Sequence, residues 1–280
     1  MRAPSSAWLS LLLLVAACGR EPVGTEADAG AEQADAGSAL ERDAGTAVDA
    51  GVDAGIDAGF DAAIDAGFDA GIDAGSMSVD AGLGIDGIVF VHGINGSADD
   101  WNTMVDRFRN DGWPADRLIA RAYSDPRWGC NGTNANQLSG WVQELSGRGA
   151  TRIAIVAHSM GGLSSRYYLQ RLGGTSSVAL LVTLGTMHHG LSNSCLSPLP
   201  VCVWQELCQS GAFITDLNTA PATPGPTKWV SIFSTGDQTV PVASSQLTGA
   251  QNIQLTGLAH DGVNGLQNSP LVYQHVKDSM

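Results

Sequence analysis

Three residues far apart in the sequence are of the types that nucleophilic acyl chemistry needs: Ser159, Asp237 and His260. Ser159 lies in Ile153-Ala154-Ile155-Val156-Ala157-His158-Ser159-Met160-Gly161-Gly162, an apolar run that enters a turn of small residues and then a helix-like pattern. A serine presented on so sharp a turn needs little or no side chain two residues before and two residues after it, and Ala157 and Gly161 meet that need. The next backbone N–H, that of Met160, then falls at a helix N-terminus, where it can donate to a developing oxyanion. An Ala-x-Ser-x-Gly string also occurs in plain strand-to-helix connections. The apolar strand before it and the helical pattern after it separate this one from those.

A second donor is expected from the loop His92-Gly93-Ile94-Asn95-Gly96, which follows the first apolar run. Hydrolases that use a nucleophile elbow draw their other oxyanion N–H from such a loop. The amide of Ile94 is assigned this role, with His92 and the glycines shaping the turn. The general base must come late, because the chain order in such enzymes is serine, acid, histidine. Of the six histidines, His92 and His158 belong to the loops just placed and His275 to a C-terminal helix. His188 and His189 follow a strand ending at Leu184, in a loop near the site. His260, in Gly257-Leu258-Ala259-His260-Asp261-Gly262, stands alone in a small-residue loop and is the expected base. Asp237, in Ser234-Thr235-Gly236-Asp237, follows the apolar run ending at Phe233 and is the expected acid. Asp261 is too close to His260 in sequence to orient it, and Asp216 falls in a helical stretch. Nothing in this set calls for a metal or a cofactor.

The elements around these residues alternate. Ile88 to Val91, Leu118 to Tyr123, Ile153 to Val156, Val178 to Thr183, Trp229 to Phe233 and Ile253 to Leu255 read as short strands. Ala98 to Asn110, Gln137 to Leu145 and Gly162 to Leu172 read as helices. Such alternation predicts an α/β fold: a mostly parallel sheet with helices on both faces and reactive residues at the carboxyl ends of strands. About 195 residues from Gly84 onward suffice for one such domain.

The first part of the chain reads differently. Arg2, the apolar run Trp8 to Val15 and small residues before Cys18 form a signal peptide over residues 1–17, too short in its apolar core to span a bilayer. Residues 18–82 form an acidic tether containing seven tandem tetrapeptides at 48–75, mostly Asp-Ala-Gly preceded by one apolar residue. One small apolar side chain in four cannot offset backbone ordering, so a disordered segment is expected. Gly19 to Gly82 carry a net charge of −13 and Leu83 to the C-terminus only −2. The near-neutral domain offers no basic surface for nucleic acid. Four cysteines besides Cys18 remain, Cys130, Cys195, Cys202 and Cys208, an even number that permits two disulfides in an oxidising space, with three connectivities open. Their spacings do not match paired zinc hooks.

Val15-Ala16-Ala17-Cys18 resembles a bacterial lipobox. That implies acylation of Cys18 and anchoring in the cell envelope, at the outer membrane, periplasmic or cell-surface face, without a membrane span. From residue 86 onward the chain resembles the small lidless bacterial triacylglycerol lipases, through Val91-His92-Gly93-Ile94-Asn95-Gly96, Val156-Ala157-His158-Ser159-Met160-Gly161-Gly162, Val182-Thr183-Leu184-Gly185, Gly236-Asp237 and Ala259-His260. Ala157 is similar to the elbow variant of the Bacillus-type members. The resemblance implies a minimal α/β-hydrolase without a large lid that cleaves acyl esters, and a monomer is expected. The cysteine-containing insert Ser192 to Ser210 looks more like the actinomycete relatives and bears on the acyl pocket. Two further readings stand beside this one: a short-chain carboxylesterase or polyester hydrolase with the same triad, and a surface-displayed binding module without catalysis.

Overall fold

The computed structural model describes residues 82–197 and 201–280. The signal peptide, Cys18 and the repeat tether up to residue 81 lie outside the described residues. In chain order the described elements are β1 (Gly87–Val91), α1 (Asn102–Asn110), β2 (Leu118–Ala120), α2 (Asn131–Gly147), β3 (Ile153–His158), α3 (Met160–Arg171), β4 (Val178–Leu184), α4 (Cys202–Leu207), α5 (Ala212–Leu217), β5 (Lys228–Ser234), α6 (Val242–Ser245), β6 (Gln251–Leu255) and α7 (Pro270–Asp278).

The six strands form one sheet in the order β2-β1-β3-β4-β5-β6, and every pairing is parallel. A parallel sheet covered on both faces must be apolar at successive positions, not only at alternate ones. β1 and β3 show this, since every residue of both is buried. Val89, Val91, Ile153, Ile155 and Ala157 pack with Leu138, Val142 and Leu145 of α2 and Leu169 of α3. The alternate residues Ile88, Phe90, Ala154 and Val156 pack on the other face with Met104 and Phe108 of α1 and Val272 and Val276 of α7. Each such aliphatic side chain contributes roughly 1.5–3 kcal/mol by leaving water, so the central strands carry much of the burial that stabilises the sheet.

Several elements differ in extent from the sequence reading. Only Leu118–Ala120 of the expected strand to Tyr123 pairs, because beyond Ala120 the chain turns and the Tyr123 N–H bonds to the ring of His92 instead. The second expected helix starts six residues early, at Asn131, in a stretch of Asn, Gly and Thr that carries little helical signal. Tertiary contacts start it. Glu206 of α4 accepts from both the N–H (2.6 Å) and the Nδ2 (2.9 Å) of Asn131, placing a carboxylate at the N-terminus of α2. The disulfide Cys130–Cys202 joins the N-terminus of α2 to that of α4, and Cys195–Cys208 closes a loop around α4. Of the three connectivities open in the sequence, this is the one the fold brings together. Cys130, Cys202 and Glu206 offer three metal-type ligand atoms within 4.8 Å of one another, but both sulfurs are taken up in the disulfide.

Candidate active site

The strand order reverses between β1 and β3, because β2 lies on one side of β1 and β4 to β6 lie beyond β3. A crevice opens at the carboxyl ends of strands at such a switch point, and Ser159 sits there, directly after β3. Its backbone is held at φ 54°, ψ −129°, a conformation a non-glycine residue rarely adopts. The surroundings enforce it. The Ser159 N–H donates to the Leu184 carbonyl (2.9 Å), and the Ser159 carbonyl accepts from the Gly162 N–H (3.1 Å) and the Thr186 hydroxyl (2.9 Å). Gly161 is required by contact, since a Cβ there would lie 2.4 Å from the His92 carbonyl oxygen.

The three distant residues converge. The imidazole Nε2 of His260 lies 2.9 Å from Ser159 Oγ, and its Nδ1 lies 2.7 Å from Asp237 Oδ2. The other carboxylate oxygen of Asp237 accepts from the N–H groups of Thr239 and Val240, each at 2.8 Å. With the carboxylate beside Nδ1, that nitrogen carries the proton and Nε2 is free to accept one from the serine. The group is shielded: Ser159 is 3% exposed and His260 7%.

The loop after β1 lies against the serine, since a Cβ on Gly93 would meet Ser159 Cβ at 2.8 Å and Ser159 Oγ at 3.3 Å. Asn95 turns the chain at φ 57° and its N–H donates to the Pro126 carbonyl. The N–H of Met160 is in the first turn of α3, where helix geometry provides no intrahelical acceptor. The side chains of both residues assigned as oxyanion donors, Ile94 and Met160, join an apolar cluster with Met187, Val240, the insert residues Val203 and Leu207, and Ile214 and Leu217 of α5. α4, held by the two disulfides, and α5 thus form an apolar wall beside the two donor residues.

The remaining candidates are placed elsewhere. Asp261 is exposed, and Asp216 pairs with Arg171 at 2.9 Å. His188 does not line the site: it is buried, with Thr183 Oγ1 3.0 Å from its Nε2 and the Arg166 guanidinium beside its Nδ1. Burial and the neighbouring Arg166 hold its pKa well below the usual histidine range. Arg166 itself meets carbonyl and amide oxygens, those of His188, Leu217 and Asn218, and burial pulls its pKa down to about 9. His189 is exposed on a groove with Gln209, Ser210 and Thr215.

Sequence reasoning missed two supports of the triad. His158 Nε2 lies 2.9 Å from the backbone carbonyl of His260, so this nitrogen carries a proton and donates it, tying the base-bearing loop to the elbow. Burial, and then the nearby His260, keep the His158 ring neutral by lowering its pKa well below the usual value. Ser234 Oγ accepts from the N–H groups of both Gly236 and Leu258 at 3.0 Å, joining the acid-bearing loop to the base-bearing loop. Neither role leaves a mark in sequence spacing.

A parallel sheet of this order, with a serine on a strained turn after β3 and an aspartate and a histidine after β5 and β6, is an α/β-hydrolase fold carrying a Ser-His-Asp constellation. Comparisons with known proteins agree with this fold. The family model for palmitoyl protein thioesterase matches residues 87–225, a span that contains Ser159 and ends before Asp237 and His260. The mature Bacillus licheniformis lipase BlEst2 is similar in fold, with a TM-score of 0.57 at 20% identity, covering 69% of this chain and 91% of that one. Legionella pneumophila phospholipase PlaB aligns with a TM-score of 0.56 at 16% identity, over 68% of this chain and 58% of that one. The lin2722 product of Listeria innocua aligns with a TM-score of 0.52 at 18% identity, over 69% and 92%.

Proposed function

We propose that the protein is a serine hydrolase that cleaves carboxylic esters through an acyl-enzyme, with acylglycerols as its substrate class. The observation that carries this reading is the unbroken series from Ser159 Oγ through His260 to Asp237, at 2.9 and 2.7 Å. His260 takes the serine proton as Oγ attacks the carbonyl carbon. Asp237 holds the tautomer this requires and favours the imidazolium that forms. The amides of Ile94 and Met160 receive the negative charge of the tetrahedral intermediate, which collapses as His260 returns its proton to the leaving alcohol. Water, deprotonated by the same imidazole, then releases the acid.

The apolar wall beside the donor residues supports an acyl chain as the group bound there. A thioester is a second reading, favoured by the thioesterase family match over the nucleophile half of the domain; the acyl-enzyme would be the same. A short-chain ester or a polyester would also use this triad. The experiment is a rate series over p-nitrophenyl esters of graded length with an acyl thioester beside them, for the wild type and Ser159→Ala. Turnover of medium and long acyl oxyesters that falls below a few per cent in Ser159→Ala supports the lipase reading. A sharp fall beyond short chains replaces it with an esterase, and faster turnover of the thioester replaces it with a thioesterase. Failure of a fluorophosphonate to label Ser159 would leave only a binding module. For the rest of the chain we propose export and lipid attachment at Cys18. Mass spectrometry of the mature N-terminus tests this, and a free, unacylated N-terminus would refute it.

A further inference from the structure

His92 is wholly buried one residue before the loop that reaches Ser159, and the acyl-enzyme reaction gives its ring no part. Its two ring nitrogens are both engaged, in ways that fix each other. The backbone N–H of Tyr123 points at Nε2 at 3.0 Å, and a backbone N–H can only donate, so Nε2 is unprotonated. The proton therefore sits on Nδ1, which is 2.7 Å from the carbonyl oxygen of Gly93 and donates to it. That oxygen also accepts from the Gly96 N–H at 3.2 Å.

The Gly93 carbonyl and the Ile94 N–H belong to one peptide unit. The bond is trans, as are all others among the described residues except Ala220-Pro221, so the two dipoles point in opposite directions. Whatever grips the carbonyl aims the N–H. Gly93 has no side chain to resist a flip of this unit, and it lies so close to Ser159 that no larger residue fits. The stop has to come from outside the loop.

We infer that His92 is a positioning residue that locks the Gly93-Ile94 peptide with the Ile94 N–H facing the oxyanion, and that Tyr123 sets the ring tautomer this needs. The inference rests on the serine-hydrolase reading above. The ring is itself held, packed edge-on to Tyr123 at 4.8 Å, while Tyr123 stacks on Trp141 of α2 at 5.2 Å. Burial lowers the His92 pKa and keeps the ring in the neutral form that can accept and donate at once.

Two isosteres separate the two ring contacts. In His92→Asn the amide nitrogen can occupy the place of Nδ1 and donate to Gly93, while the acceptor for Tyr123 is lost. In His92→Gln the terminal oxygen can take the place of Nε2 and accept from Tyr123, while the donor to Gly93 is lost. Both are measured with p-nitrophenyl butyrate beside the wild type, with thermal unfolding as a control. His92→Gln is expected to lose about tenfold or more in kcat with KM unchanged, as misdirecting one oxyanion donor should. His92→Asn is expected to stay within about threefold of the wild-type kcat, whichever variant is the less stable. The inference is overturned if His92→Gln keeps its kcat, if His92→Asn falls as far as His92→Gln, or if both fall in step with their unfolding temperatures. A wild-type enzyme that hydrolyses no ester would refute the serine-hydrolase reading instead, before either variant is compared.

Discussion

Ser159 and His260, the proposed nucleophile and base, are held at the two ends of one hydrogen bond by regions of opposite character. Ser159 follows β3, a strand buried at every position between two strands and two helical layers. His260 follows β6, an edge strand of which Gln251, Asn252 and Gln254 are exposed. The elbow is held by burial and by backbone pairing that leave it no other conformation, which is what a strained residue requires. The base-bearing loop has no such cover. It is tied by a few specific bonds, from His158 to the His260 carbonyl, from Leu258 to Ser234 and from His260 to Asp237. Packing secures the strained serine, and directed hydrogen bonds secure the histidine proposed as the base.

The contrast can be tested at its strongest point with Asp237→Asn. Asn keeps an oxygen for the Thr239 and Val240 amides but presents an N–H to His260 Nδ1, which favours the wrong tautomer. A fall in kcat of about 10³–10⁴ with an unchanged unfolding midpoint is expected; a fall matched by unfolding would mean that the carboxylate serves the fold. Next in size is the paired truncation Ile155→Ala and Ile253→Ala. The central residue should cost about 2–5 kcal/mol of stability, and the edge residue less than half of that, by urea unfolding. Equal costs would erase the distinction between centre and edge.

Ser234→Ala removes the acceptor shared by the acid-bearing and base-bearing loops, at a cost of about 1–3 kcal/mol for the N–H groups left without it. It should lower kcat several-fold and leave KM unaltered in a steady-state assay. An unchanged kcat would show that the loops are held without Ser234. The smallest effect concerns the insert. Burial raises the Glu206 pKa more than its bonds to Asn131 lower it, so the charged form is less favourable in the folded protein than in the unfolded chain. The stability it contributes is complete below its ordinary pKa of 4.5 and declines as pH rises through the elevated one. Gln keeps an oxygen for Asn131 without the charge, so Glu206→Gln should raise Tm by about a degree or two near pH 8. It should give no gain near pH 4, and a loss at both would overturn the assignment.

The residues proposed to move bonds were legible because that chemistry constrains their neighbours in sequence. A strained serine dictates small residues at 157 and 161, and the chain order in this fold places the acid and the base after it. The supporting residues were not legible, because His158, Ser234 and Glu206 act on partners that are distant in sequence or act through a side chain many residue types could replace. The helix start at Asn131 was missed for the same reason: its N-terminus is completed by a carboxylate and a disulfide from residues more than seventy positions away.

The sequence alone determined the alternation of strands and helices and singled out Ser159, Asp237 and His260 as candidates, because hydrophobic period and turn geometry are local properties of the chain. Tertiary structure decided which cysteines pair, which histidines stand aside from the site, and which groups hold its loops. Those outcomes depend on distances across the sheet and on what each polar atom meets when buried, and neither is encoded by the spacing of residues along the chain.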